Sequence, residues 1–214
     1  MMRMTTAVMG VLAVATAAQG QSIVNGSLTG PVGSAIQPPA WFAVQNTPDT
    51  CDASGPFNNT PNPWVLSPDG GTFVRAGGSD LIQSEVMAQD VTGFTPGASY
   101  DLEFFMSNLG FQHPSSGAWI GEDGYWSLYI DGVLAGATGF ISKPVLNTDA
   151  NVWIAESISF VAPAADFEVR LMPRSGGGLA AYMAIDGISV RAVPAPGALA
   201  LFAAGGLFAL RRRH

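Results

Sequence analysis

The chain has 214 residues with 26 glycines and 15 prolines, and only 12% of it is charged. So few charges among so many apolar side chains exclude a disordered chain and allow one ordinary domain with a core. All 16 acidic residues fall between Asp49 and Asp186, against five basic ones (Arg75, Lys143, Arg170, Arg174, Arg191) in the body from Gln21 to Val193. That leaves the body at −11 and excludes nucleic-acid binding, which needs Lys/Arg patches to displace counterions.

At the N-terminus, Arg3 precedes an uncharged apolar run from Ala7 to Ala18, with small residues at Ala15, Ala17, Ala18 and Gly20. A basic start, an apolar stretch too short to span a bilayer and small residues at its end predict a secretory signal peptide over 1–20. Cleavage is expected between Ala17 and Gly20, leaving a body over 21–192. Cys51 is the only cysteine, so an internal disulfide and a cysteine-built zinc site are excluded. A shielded thiol or an intermolecular disulfide remains.

Weak strand patterns come first in the body, at Thr72–Arg75 and Ser84–Val91. In Ser99–Ser107 the alternation is clear: Tyr100, Leu102, Phe104 and Met106 share one face, Ser99, Asp101, Glu103 and Ser107 the other. Phe105 breaks the polar side. Tyr125–Ile130 is a strand that runs straight into Asp131-Gly132, a strong two-residue turn signal leading to Val133-Leu134. Ile154–Val161, Asp166–Met172 and Tyr182–Val190 complete the set. No amphipathic helix is patterned in the body. Short strands between Gly/Pro/Asn/Asp loops predict an all-β fold, an antiparallel β-sandwich of jelly-roll type.

Catalytic signatures are sparse. His113 is the only histidine in the body, and no Gly-x-Ser-x-Gly elbow accompanies it. Glu122 and Asp123 are adjacent, so in an extended chain they point apart, and with Gly124 they read as a turn. Asp101 and Glu103 share a face as the solvated side of a strand. No catalytic residue is assigned, and an enzyme is not expected. The candidate binding residues lie in the long connection Asn108–Gly124, which holds Phe111, Gln112, Trp119, Glu122 and Asp123. Trp64, in a second connection over Thr47–Asp69, joins them. Aromatic faces beside amide and carboxylate groups suit sugars, whose apolar faces stack while their hydroxyls are hydrogen-bonded. The alternative is that Trp119 folds back over the core. Trp41, Trp126 and Trp153 are expected in the core.

The chain ends with Val193-Pro194-Ala195-Pro196-Gly197, an apolar run Ala198–Leu210, and Arg211-Arg212-Arg213-His214. This is a stiff break, a short membrane-seeking helix and a cationic stop that stays on the cytoplasmic side, with the body outside. The order of these parts over 193–214 resembles the PEP-CTERM class of sorting signals. Ala195 stands where the name-giving motif has Glu, making this a Pro-Ala-Pro variant. The resemblance implies export, transient anchoring in the inner membrane, and an exosortase-type transpeptidase or protease acting at Pro194, Ala195 and Pro196 with Arg211, Arg212 and Arg213 as the stop. It also implies a place at the cell surface or in the extracellular, exopolysaccharide-rich biofilm matrix.

Ile23-Val24-Asn25-Gly26-Ser27-Leu28, Trp41-Phe42, Pro68-Asp69-Gly70-Gly71, the strand from Gly97, Trp153 and Ile185-Asp186-Gly187-Ile188 follow one another in an order similar to the galactose-binding-like jelly-roll modules. Such modules often carry a structural calcium, for which Asn25 and Asp186 are the candidates. Thr29 and Gly187 stand where further ligands are often found. No other cofactor is expected. Three readings of function stay open: a non-catalytic module facing extracellular polysaccharide, a structural envelope or biofilm protein without a specific glycan ligand, and a glycan-active enzyme.

Overall fold

A computed structural model describes residues 23–56, 64–79, 84–113 and 115–194. The expected signal peptide and the sorting tail from Ala195 onward lie outside the described residues. Twelve strands and no helix make up the described chain: β1 (Phe42–Gln45), β2 (Asp49–Cys51), β3 (Phe73–Gly78), β4 (Val86–Val91), β5 (Ser99–Asn108), β6 (Phe111–Gln112), β7 (Trp119–Ile120), β8 (Gly124–Ile130), β9 (Val133–Ala137), β10 (Ile154–Val161), β11 (Phe167–Ser175) and β12 (Ala181–Ala192). They form two five-stranded antiparallel sheets, ordered β1-β4-β11-β8-β9 and β10-β5-β12-β3-β2, and the small pair β6-β7.

Alternation decides which face each strand buries. On β11 the side chains of Phe167, Val169 and Leu171 are buried while Glu168 and Arg170 are half-exposed. On β5, Tyr100, Leu102, Phe104 and Met106 turn the same way from the other sheet. Their buried faces meet in one core with Trp126, Leu128, Val74, Met183, Ile185, Ile158 and Phe160, so the two sheets form a β-sandwich. Phe94, Tyr100, Phe160 and Phe167 close one end as an aromatic group with ring centroids 4.7–6.1 Å apart. Pro173 is tolerated inside β11 because β4 pairs only with Phe167–Leu171, so no ladder partner is lost there.

The turn at Asp131-Gly132 forms as its residues require: both have positive φ, 47° and 77°, and Ile130 pairs with Val133 across it. The strands read from alternation are all present, several longer than expected. Four short elements lie outside the alternation. β1 and β2 are edge strands of four and three residues, too short for a period to show. The Asn108–Gly124 connection is also no plain loop. Phe111 pairs with Ile120 and Gln112 with Trp119, making the hairpin β6-β7.

The segment before β1 is fastened to the first sheet by one buried amide. Gln89 on β4 accepts from the Val24 N–H and donates to the Val24 and Ala40 carbonyls. Asn25 holds its own loop, donating to the Thr29 and Pro39 carbonyls and accepting from the Thr29 N–H.

Trp126 is wholly buried between the sheets, its indole N–H donating to the Ala184 carbonyl at 3.3 Å. Trp126→Ala should destabilise the fold by about 3–5 kcal/mol, read as a lowered denaturation midpoint at unchanged m-value.

Candidate functional site

The outer face of the second sheet is where polar side chains and half-exposed aromatics gather. Its centre is set by register. Ser157, Glu103 and Ser189 lie opposite one another across β10, β5 and β12; Ala155, Phe105 and Asp186 form the next row, and Ser159, Asp101 and Arg191 the row on the other side. Residues paired in this way share a face.

This alignment depends on a bulge. Between Asp186 and Ser189, β12 carries one residue more than β5, and Gly187 sits there at φ +62°. The extra residue resets the alternation, so that Ile188 turns into the core while Ser189 and Arg191 turn outward beside Asp186. A Cβ at position 187 would stand 2.9 Å from the Phe105 ring, which lies close over the glycine backbone.

Over these rows lies an open depression of about 450 Å³, bordered by Glu103, Phe105, Ala155, Ser157, Gly187 and Ser189. Phe105 is half-buried on its floor. Arg191 closes one end, donating to Asp101 at 2.7 Å and to Glu103 at 2.8 Å. Asp101 accepts from Ser159 as well, at 2.6 Å, so both its oxygens are engaged. Glu103 gives one oxygen to Arg191 and keeps the other free among the described residues.

The opposite end of the depression is roofed. Trp64, Trp153, Phe73, Leu109, Cys51 and Ala184 make a second, smaller apolar cluster on this outer face. Asn151 staples it, exchanging hydrogen bonds with Val65 and donating to Ser107, while the Trp153 N–H donates to the Val65 carbonyl at 2.7 Å. Under the roof the Cys51 thiol is pushed up to about 12 by burial, so it stays protonated and unreactive.

Asp186 lies at the roof's edge, 1% exposed. Ser67 donates to its Oδ2, and its Oδ1 has no hydrogen-bond partner among the described residues. Burial pushes this carboxyl up to about 7 against the opposing pull of the Ser67 hydrogen bond. Beyond the roof the same face reopens. There Phe111 stacks on Tyr182 at 4.4 Å, and the Arg75 guanidinium lies 5.1 Å from the Tyr182 centroid and 3.4 Å from Asp49.

The sequence-predicted binding residues are not joined in one pocket. Phe111 belongs to the Tyr182 stack, and Trp64 belongs to the roof. Trp119 is half-buried. Its ring leaves no room for a Cβ at Gly110, its N–H donates to the Pro144 carbonyl at 2.8 Å, and the Lys143 ammonium lies 5.6 Å from the ring centroid. Gln112 donates to the Gly117 carbonyl within the hairpin. Glu122 accepts from the Leu179 N–H, and Asp123 from Ser142, so both act as loop braces.

Asn25 and Asp186 do not fit a shared calcium. The Asn25 side chain is spent on its own loop, Asp186 is engaged with Ser67, and no group of three or more His, Cys, Asp or Glu that could hold a metal occurs among the described residues. Alternation places Phe105 and Glu103 on the solvated side of β5, which by itself gives no sign of a site. Phe105, an aromatic out of phase on a polar strand face, was the available signal.

No protein-family model matches the sequence, and no curated protein matches it. Among solved structures the chain is similar to an apo cyclase from Fischerella sp., with 14% identity over 82% of this chain and 97% of that one, at a TM-score of 0.55. It is similar to a Stig cyclase from Fischerella sp. TAU at 15% identity, with 82% and 98% covered and a TM-score of 0.53. It also matches an arabinose-bound α-L-arabinofuranosidase at 12% identity and a TM-score of 0.50, over 81% of this chain but 26% of that enzyme. At these identities the likeness establishes the fold alone.

The raised Asp186 pKa has a definite sign in stability. Between 3.8 and about 7 the folded protein binds more protons at this carboxyl than the unfolded chain does. The contribution is therefore complete below the unfolded value and lost as pH rises through the folded one. Asp186→Asn should flatten this slope and raise Tm above neutrality, as followed by thermal melts across the range.

Proposed function

We propose that this protein is a non-catalytic, carbohydrate-facing module, and that it meets glycan on the outer face of its second sheet. The observation that carries the reading is the open depression over Phe105, flanked by the Glu103 carboxylate and the Ser157 and Ser189 hydroxyls. An aromatic floor offers the apolar face of a sugar ring a stacking surface, and the hydroxyls and carboxylate bond its edge. The Phe111–Tyr182 stack extends the same face beyond the roof and is a second point of contact for a long chain. In this reading Phe111 keeps its place among the contact residues, while Trp64 and Trp119 support the surface around them.

The reading is one of binding because, of the strand carboxylates on this face, Asp101 and Asp186 are closed to a substrate and Glu103 offers one oxygen. Asp101 is fully engaged, Glu103 is held by Arg191, and Asp186 is sealed beside Ser67. Glu156 also borders the depression, but it lies between Ala155 and Ser157 on β10 and so alternates toward the other face. A glycosidase needs two carboxylates across the bond, one of them able to protonate the leaving oxygen. The interleaving of the two sheets, with β3, β5, β10 and β12 in one and β4 and β11 in the other, is consistent with a jelly roll.

We also infer export, with the body outside the cell and the tail held for a time in the inner membrane until a sorting transpeptidase acts. The support is the order of the segments flanking the body: Arg3 and its apolar run before, Pro194-Ala195-Pro196, a second apolar run and three arginines after. The intact mass of protein recovered from its host should then lack both flanks, with the N-terminal cut between Ala17 and Gly20; a full-length mass would count against processing.

The binding test is depletion of the full-length protein from solution by the host's extracellular polymer and by insoluble glycans. Phe105→Ala should weaken retention about tenfold or more, a loss of about 1.4 kcal/mol, with the thermal melt still cooperative. Absence of retention on every polymer would turn the reading toward a purely structural envelope role.

A further inference from the structure

We propose that the glycan accepted by this face carries free amino groups, and that acidic polymers are turned away; this rests on the binding reading above. Charge on the sheet points to it. The strands under the depression turn Asp101 and Glu103 outward against one cation, Arg191. Arg75 lies beyond the roof, bound to Asp49, and Arg191 is bonded to both Asp101 and Glu103. Asp69 adds a further carboxylate beside Phe105 and Gly187. No cation on these strands is left to pair with a uronate, sulfate or pyruvyl group. Such a polymer would bring its own negative charge against an acidic, solvent-facing surface.

The geometry at Glu103 gives the attraction a shape. Its side chain is 40% exposed, one oxygen held by Arg191 and the other free among the described residues. Ser157 and Ser189 flank it across the two neighbouring strands, and both are exposed. One charged carboxylate oxygen thus stands between two hydroxyls on one row, with about 4.8 Å from strand to strand. A protonated sugar amine on the Glu103 oxygen gains a charge-assisted hydrogen bond together with an ionic attraction that a neutral sugar hydroxyl lacks. Phe105 in the adjacent row then lies under the sugar ring.

The test uses the full-length protein and three polymers: chitosan, the same chitosan after chemical N-acetylation, and alginate. Binding is measured by depletion at mildly acidic pH, where the amine is protonated and ordinary carboxylates are still ionised. Chitosan should retain the protein about tenfold better than its N-acetylated form, retention should fall as salt is raised, and alginate should retain none. Glu103→Gln should remove most of that tenfold preference. Ser189→Ala, which leaves the Arg191 ion pairs in place, should reduce it in part. Asp90→Asn, an exposed carboxylate on the other sheet, should leave it unchanged. Equal retention on both chitosans, abolished by Phe105→Ala, would overturn the amino-sugar inference and leave the binding reading standing. A chitosan preference that Asp90→Asn lowers as much as Glu103→Gln would also overturn it, since bulk acidity would then be the cause. Retention on none of the polymers, and none on host polymer, would remove the binding reading itself.

Discussion

The bulge at Gly187 is the constraint on which the outer face depends. A strand without it would carry one alternation from Ala181 to Ala192, placing Asp186, Ile188 and Val190 on a single side. The extra residue lets β12 bury Ile188 in the core and then present Ser189 and Arg191 outward, in line with Glu103 and Asp101 on β5. Only glycine serves there: the backbone is left-handed, and the Phe105 ring lies where a side chain would begin. Bulges of this kind re-aim side chains near functional surfaces, and this one builds the acceptor row that the depression exposes.

The face so aligned is divided by its roof. Trp64 and Trp153 meet Phe73 at 6.1 and 5.3 Å and cover the middle of the sheet, leaving the depression over Phe105 on one side and the Phe111–Tyr182 stack on the other. Burying apolar area there removes it from water at about 25 cal/mol per Å², which helps to hold the segment from Trp64 to Ser67 across the sheet. The same burial has an electrostatic cost. Asp186 is caught at the roof's edge with one oxygen unpartnered among the described residues, and its carboxyl is driven toward neutrality. One and two rows away, Glu103 and Asp101 instead share Arg191.

Much of the fold was legible because its strands are long and half-buried. β5, β8, β10, β11 and β12 each show period two over at least part of their length, and Asp131-Gly132 announces its hairpin through the positive φ that these two residues tolerate. β1, β2 and the β6-β7 hairpin were not legible, since two to four residues cannot display a period and their pairing partners are distant or depend on a tight local turn. The site was less legible than the fold. Trp119, Glu122 and Asp123 look available in a connecting segment, but Pro144, Leu179 and Ser142 engage them. Those partners are 19 to 57 residues away in sequence.

By itself the sequence determined the all-β class, the acidity of the body, the exclusion of an internal disulfide, and the strand faces wherever apolar and polar residues alternate. These follow from composition and local periodicity, which need no knowledge of neighbours. Tertiary structure decided which polar face is open and which is roofed, and which carboxylates keep a free oxygen. It also decided that Phe105, Glu103, Ser157 and Ser189 meet. Those outcomes depend on register between strands that are dozens of residues apart, and a one-residue bulge is enough to change them.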